Sequence, residues 1–554
     1  MSKIMECVPN FSEGRDLNKI GKIIDAMKSV KGVRLLDTDT GVATNRTVVT
    51  IAGEPNAVLE SAFLGIKKAS EIIDMRVHKG AHARQGATDV CPLIPISGIN
   101  FDECVELSKK LAERVGNELG IPVYLYGFSA TCPERVKLPD IRKGEYEALE
   151  EKLQKPEWKP DFGPQKFNAK SGATAIGVRK FLIAYNVNLN TTRKKIAKDI
   201  GMLIRESGTP KKDKNGKKIL DNNGDPIMIP GLLKNVQATG WYIDEYKRAQ
   251  VTINILDHIE TPLHTVFETV KEEAEKMGAR VTGSELVGLI PKDAMLSAGK
   301  YYLEKQGSTL ALPEKEIIRT AVMSMGLDEL TEFDIDKKII EYNFEEKGLK
   351  DMAITDFADE LAGKSPAPGG GSVAALCGSL SAALSSMITN LTYYKKKYKS
   401  VKALMGDVGK ESQILKRKLL FAIDEDTNAY NRMAEARKLP KNTDEEIKIR
   451  NNTMEDANKY AMQVPFNTMK LSLEAMKLAK VVAMNGNENT ISDAGVANLC
   501  AYAAIYGAWY NVKINAPGIK DKSFVDEILK EGKNIIADAE LLYKEIRSHV
   551  EGKL

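Results

Sequence analysis

Apolar positions in the first third of the chain switch between two periods. Ile4 to Val8 is a short continuous run that reads as a strand, whereas Leu17, Ile20, Ile24 and Met27 recur at spacings of three and four and mark one face of a helix. Val33 to Leu36 and Val48 to Ile51 predict two more strands, followed by a helix from about Asn56 to Ile73. A strand over about Val90 to Ile96, a helix opened by Asn100 with Glu103 in capping-box position, and the run Ile121 to Tyr126 complete a split β-α-β arrangement. That order implies a sheet covered by helices on one face. The pattern returns after Gly172: a strand over Lys180 to Leu189, a helix from about Thr192 to Glu206, strands over Leu233 to Ile243 and Gln250 to Leu256, a helix carrying Leu263, Val266, Phe267, Val270 and Ala274, and a strand ending in Leu286 to Ile290. The architecture repeats while the residues do not.

Between these elements, the lysine-rich stretch Pro210 to Pro230 holds two Asn-Gly turn signals, Asn215-Gly216 and Asn223-Gly224, which predict a small exposed hairpin. A calcium loop starting at Asp221 fails, because its sixth and twelfth places are Pro226 and Leu232 where Gly and Glu are needed. The character changes after about Leu327. A connector of mixed charge runs to about Lys350, and from Met352 onward nearly every segment reads helical; Thr443 with Glu446, just past Leu439-Pro440, is the clearest helix start. The predicted fold class is multidomain: two α/β subdomains of split β-α-β, ferredoxin-like type, followed by an all-α helical bundle.

At 554 residues, with 28% charged and 43% hydrophobic positions, the chain has material for several packed cores, which excludes a disordered or one-domain protein. Its 80 basic and 76 acidic residues leave a net charge of +4, too little for a dedicated nucleic-acid or membrane-surface binder. The six cysteines are scattered without CxxC spacing and read as free cytosolic thiols. Ser365 to Tyr394 and Ala494 to Val512 are long enough to be tested as membrane spans. Their Gly, Pro, Ser, Asn and Tyr content instead predicts small-residue helices buried in a bundle or a subunit interface.

Two of only five histidines, His78 and His82, fall in the polar, glycine-bearing segment Arg76 to Asp89. An imidazole suits proton transfer at neutral pH, and Arg76, Lys79 and Arg84 would draw carboxylates toward it. A plain surface loop, or a metal site of His78, His82 and Asp89, are the competing readings, although Gly80 and Gly86 disfavour a regular helix there. His258 and His264 flank Thr261-Pro262 and read as helix-entry residues. In the helical region Leu415, Leu419, Ala422, Asp426, Ala429 and Met433 form one stripe, interrupted by Asp426. A carboxylate facing a packed interior is either bonded to a neighbouring helix or raised in pKa toward acid-base use. Asp424 falls off the stripe and reads as solvated. Ser365 to Ser372 precedes an Ala/Ser-rich helix without satisfying either phosphate-loop or dinucleotide patterns, which leaves a carboxylate-bearing ligand or close packing at its start.

Several segments carry a resemblance. Glu6 to Gly14, His78 to Pro92, Val123 to Gly127 and Lys180 to Ala184 resemble the transferase half of the bifunctional formimidoyltransferase-cyclodeaminases, and Ser365 to Leu376, Leu439 to Thr443 and Ser492-Asp493 resemble their cyclodeaminase half. The resemblance implies a formiminotransferase N-terminal subdomain over 1–180, its C-terminal subdomain over 181–327, a linker over 328–350 and a cyclodeaminase domain over 351–554. It implies transfer of a formimino group from N-formimino-L-glutamate to tetrahydrofolate, then cyclisation to 5,10-methenyltetrahydrofolate with loss of ammonia, in histidine degradation. His82 falls at the family's transferase catalytic position and Asp426 at its cyclodeaminase position. The segment Gly163, Pro164, Gln165, Lys166, Phe167, Asn168, Ala169, Lys170, Ser171 and Gly172 matches the proposed folate-binding stretch, although its interior departs from the family's version. The lysine-rich insertion departs from the animal members. Tetrahydrofolate as a polyglutamated co-substrate, no metal, a cytoplasmic homo-oligomer, and neither nucleic acid nor membrane as partner complete the expectation. Asp39 is a candidate to orient His82. The alternatives are a formyl-donor transferase, a methenyltetrahydrofolate cyclohydrolase, or a folate-binding scaffold with one inactive half.

Overall fold

The computed structural model describes residues 3–42, 44–80, 82–221, 224–345 and 347–554. The chain forms two compact units, Met1–Ala298 with Ala321–Glu345, and Gly299–Thr320 with Glu346–Leu554. The first is mixed α/β and the second helical. The units are discontinuous in sequence, which a series of consecutive domains does not provide for.

The first unit contains two main sheets. In the first, β1 (Ile4–Cys7) and β2 (Asn10–Phe11) lie end to end, followed by α1 (Leu17–Lys28), β3 (Val33–Gly41), β4 (Arg46–Gly53), α2 (Pro55–Ile72) and β5 (Thr88–Ser97). β1 and β2 both pair with β4 on one side and β5 on the other, antiparallel throughout, and β3 pairs with β4. After α3 (Phe101–Leu119), β6 (Val123–Gly127) and β7 (Thr174–Val178) extend the sheet in parallel beyond β5, with β7 between β5 and β6. Alternation sets the faces. Met5, Cys7, Val49, Ile51, Cys91 and Leu93 point into a core with Ile23, Val58, Leu111 and Val115 of the three helices. That leaves Asn10 and Arg46 on the opposite face. The predicted capping box closes α3, with the Glu103 amide donating to Asn100 Oδ1 at 2.8 Å.

The second sheet runs β8 (Ile183–Leu189), α4 (Lys194–Ile204), β9 (Val236–Ile243), β10 (Arg248–Ile255), α5 (Leu263–Lys276) and β11 (Val281–Val287), in the spatial order β9-β10-β8-β11 and antiparallel throughout. The first strand of each βαββαβ series lies between the third and the fourth, so both halves have the same connection. β11 stops short of the predicted Ile290: Gly288, at φ +77°, turns the chain out of the ladder. Ile290 makes only an isolated bridge to Ile339. In the lysine-rich insertion, Thr209–Pro210 pairs with Met228–Ile229, and the Gly216 amide closes a turn onto the Asp213 carbonyl at 3.0 Å. Asn223 of the second predicted turn lies outside the described residues.

The second unit is built on α6 (Gly370–Tyr393), α7 (Lys402–Lys438), α8 (Asp444–Asn485), α9 (Ile491–Asn515) and α10 (Lys522–Glu551). α6 buries Ala375, Gly378, Ser381, Ala382 and Ser385, small residues that permit close helix approach. By length and composition α6 could cross a membrane; 61% of its most apolar window is buried inside the protein. α8 begins at the predicted capping box, where Thr443 and Glu446 bond each other's amides at 3.2 Å. Residues 299–320 belong here because the buried Ala311 offers its carbonyl to Asn390 Nδ2 at 2.8 Å and to Gln413 Nε2 at 3.4 Å.

Candidate active sites

The N-terminal candidate lies where β2, β4 and β5 meet. Arg46, the first residue of β4, lies across Asn10 and Asp89: its Nε and Nη2 donate to Asn10 Oδ1 at 3.0 and 2.6 Å, and its Nη1 donates to Asp89 Oδ2 at 2.9 Å. Asp89 is 1% exposed, a burial that a carboxylate tolerates only when paired. Its further donors are Arg142 and the Gln85 amide at 3.0 Å. Arg46 Nη1 also stands 2.8 Å from His82 Nδ1, and the same nitrogen is 2.6 Å from the Ala83 carbonyl. Guanidinium only donates and a carbonyl only accepts, so the two contacts select opposite tautomers. With the proton on Nδ1 and directed at Ala83, Nε2 keeps a lone pair for substrate. Burial, then the Arg46 charge, lowers the imidazole pKa below its usual value, so the ring is neutral at neutral pH.

His78 has a different task. Its Nε2–H donates to the Asn45 carbonyl at 2.9 Å and its Nδ1 accepts from Arg84 at 3.4 Å, which fixes one tautomer in a buried position. Arg84 is itself bound by Glu145 and Glu147 at 2.9 and 2.8 Å, beside a cleft of about 470 Å³ that Lys79, Gly80 and Gly144 also line. The segment is therefore anchored at His78 and open at the half-buried His82. His78 turns to Asn45 and Arg84 while His82 and Asp89 share Arg46, and among the described residues no three His, Cys, Asp or Glu side chains are grouped to hold a metal. Asp39 is exposed on β3, opposite Val48; the groups on the His82 ring are Arg46 and the Ala83 carbonyl, not Asp39. His258 pairs with Asp293 at 3.2 Å.

The segment 163–172 meets the histidine loop only at its end, where the Ala87 amide donates to the Ser171 carbonyl at 2.8 Å and Gly172 bridges Gly86. Several of its side chains are spent on the protein: Gln165 bonds the Leu153 carbonyl, Lys170 the Glu71 carbonyl, and Phe167 packs on Tyr146. Pro164 and Lys166 are exposed. Arg46 and Arg142 were missed by sequence reasoning as site residues. The Asn45-Arg46 turn carried a hint, whereas Arg142 gave no signal at all.

The C-terminal candidate is Asp426 on α7, facing the start of α6. Its Oδ2 accepts from Ser372 Oγ at 3.1 Å, and the Ser372 backbone N–H donates to the same carboxyl. No side chain caps α6 at Gly369, and Asp426 takes up one of the free N–H groups of that helix start, that of Ser372. Burial raises the carboxyl above its usual value against the opposing pull of the Ser372 bonds. Asp424, two residues earlier, is not solvated as expected: it is 18% exposed, accepting from the Lys350 amide at 3.4 Å and pairing with its ammonium at 3.5 Å. One carboxylate is matched by a cation and the other by uncharged donors.

Comparison with known proteins assigns both halves. Residues 4–179 match the family model "Formiminotransferase domain, N-terminal subdomain", 184–345 match "Formiminotransferase domain", and 353–534 match "Formiminotransferase-cyclodeaminase". A formimidoyltransferase-cyclodeaminase of Rattus norvegicus is 41% identical over 96% of this chain and 95% of its own. A glutamate formimidoyltransferase of Streptococcus pyogenes is 42% identical over 55% of this chain and 94% of its own. A methenyltetrahydrofolate cyclohydrolase of Methylorubrum extorquens is 43% identical over 36% of this chain and 97% of its own. With one relative aligned along almost its entire length and family models covering both units, the chain belongs to the formimidoyltransferase-cyclodeaminase family.

Proposed function

We propose that the chain performs two successive steps on one folate: formimino transfer from N-formimino-L-glutamate to tetrahydrofolate at His82, then ring closure to 5,10-methenyltetrahydrofolate with release of ammonia at Asp426. In the first step N5 of tetrahydrofolate attacks the amidine carbon; the C–N5 bond forms and the bond to the glutamate nitrogen breaks. His82 Nε2 takes the N5 proton and returns it to the departing nitrogen. In the second, N10 attacks the protonated formimino carbon. Asp426 takes the N10 proton and hands it to the amino group, which leaves as ammonia.

The observation that carries this reading is the pairing of a neutral, half-buried imidazole in the transferase-like half with a desolvated carboxyl in the cyclodeaminase-like half. The shared βαββαβ connection of the first unit supports two ferredoxin-like subdomains, within 1–180 and 181–327, ahead of the connector over 328–350 and the cyclodeaminase domain over 351–554. Residues 163–172 are assigned to folate by family pattern. A cytoplasmic homo-oligomer acting on polyglutamated folates without a metal completes the reading, and a chelator is expected to leave both rates unchanged. The cyclohydrolase relative favours one second reading, in which the helical half opens or closes the methenyl ring with water instead of ammonia. Incubation with formiminoglutamate and tetrahydrofolate, following ammonia and the methenyl chromophore together, decides: equal yields support the proposal, and chromophore turnover without ammonia supports the cyclohydrolase.

A further inference from the structure

We propose that Ser372 is a positioning residue that hydrogen-bonds the Asp426 carboxyl in both of its protonation states, and that Gly371 is the residue that leaves this carboxyl its place at the start of α6. The inference rests on Asp426 being the ring-closure carboxyl and adds to it the means of holding that group.

Ser372 is fully buried, at 0% exposure. Its Oγ stands 3.1 Å from Asp426 Oδ2 and 3.1 Å from the Ile423 carbonyl, both on α7. A hydroxyl has one proton and can also accept, so it donates to one of these oxygens at a time. When Asp426 is ionised, the carboxylate is the stronger acceptor and receives the Ser372 proton together with the backbone N–H of the same residue. When Asp426 is protonated, its own O–H donates to Ser372 Oγ, whose proton turns to the Ile423 carbonyl. The carboxyl thus keeps a partner on either side of a proton transfer, with no charge brought in. The ionisable neighbours on α7 are engaged elsewhere, Asp424 with Lys350 and Glu425 with the Tyr460 hydroxyl.

Gly371 supplies the space. A Cβ built there falls inside the van der Waals radius of Asp426 Oδ1, with the rest of the carboxyl directly behind it. Any larger residue moves the carboxyl off the helix start. Of the glycine run Gly369-Gly370-Gly371, it is thus Gly371 that serves a carboxylate of the protein itself.

The test uses the full chain and the pH dependence of ring closure of supplied 5-formiminotetrahydrofolate. Ser372→Ala is expected to slow the reaction roughly 10-fold or more, the usual consequence of losing a bond to a charged group, and to move the ionisation in the pH profile to higher pH. Ser372→Cys fills nearly the same volume but donates weakly; it should lie between wild type and Ser372→Ala in both rate and profile, and it carries the test if the alanine variant does not fold. Gly371→Ala is expected to cost roughly 10²-fold by displacing the carboxyl. Thermal unfolding and transferase turnover serve as folding controls. A wild-type pH profile in Ser372→Ala, or full recovery by Ser372→Cys as a pure packing role requires, overturns the inference. Undiminished ring closure in Asp426→Asn overturns the assignment of Asp426 itself.

Discussion

The two candidate sites apply one physical force to opposite chemical groups. At the sheet end, His82 sits beside a charged array of Arg46, Asp89 and Arg142, with the Asn10 amide as a further acceptor; at the start of α6, Asp426 meets uncharged donors. Burial dominates in both. Because it penalises whichever form is charged, it drives the imidazole down and the carboxyl up, so the two groups converge from either side on the range where proton transfer runs in both directions. The difference lies in the neighbour: the Arg46 charge reinforces burial at His82, whereas the Ser372 bonds oppose it at Asp426. A sheet end can hold several paired charges at its rim. In the small-residue helix bundle, Asp426 is held by a helix start.

If the sites are separate, they can be broken separately, and this is the largest expected effect. His82→Ala should lower formimino transfer by roughly 10²–10⁴-fold, the range of a lost acid-base group, while ring closure of supplied 5-formiminotetrahydrofolate proceeds nearly unchanged. Asp426→Asn should do the reverse. Product assays on each half-reaction check both; equal depression of both activities in a folded variant would end the comparison.

The role of the neighbour sharpens it next. Arg46→Gln removes the cation beside His82 while Asp89 keeps Arg142, so transfer is expected to fall roughly 10–100-fold through misplacement of the ring. The acidic limb of its pH profile should move toward higher pH, because the lost positive charge had been holding the imidazole below its ordinary 6.5. In the unmodified protein, transfer should be flat above pH 6.5 and fall only as pH drops through that lowered value. Ring closure should instead fall through a value raised above 3.8. An unmoved limb in Arg46→Gln would leave burial and the Arg142 charge as the causes of the shift.

What could be read from the sequence divides along the same line. Asp426 was legible because periodicity exposes a misfit: one carboxylate in an apolar stripe needs a partner, wherever it comes from. The caps at Asn100 and Thr443 were legible because their partners lie three residues away. The Asp89 array was not, since Asn10, Arg46 and Asp89 are brought together by strand pairing and Arg142 reaches them from a short helix, Leu138–Arg142, far along the chain. Asp424 was misread for the same reason, as Lys350 lies 74 residues away. Nor did composition suggest that residues 299–320 would join the helical unit, because a buried carbonyl such as that of Ala311 has no sequence signature.

The smallest effect expected is on stability. The folded-state pKa of Asp426 is raised above 3.8, so the native state holds its proton more tightly than the unfolded chain. The stability tied to that proton is fully present below pH 3.8 and is lost as pH rises through the raised value. Above that raised value the ionised carboxyl is thus a cost to the folded state. Asparagine keeps the shape, still accepts from Ser372 and does not titrate. Asp426→Asn should therefore raise the melting temperature by roughly 2–4 °C at pH 7, the shift that about 1 kcal/mol produces in a domain of this size, and the gain should shrink as pH approaches 4. Scanning calorimetry at several pH values measures it. A variant that is less stable than wild type at pH 7 would mean that the Ser372 bonds outweigh desolvation, which makes the carboxyl a stabilising group and removes the physical basis for its raised pKa.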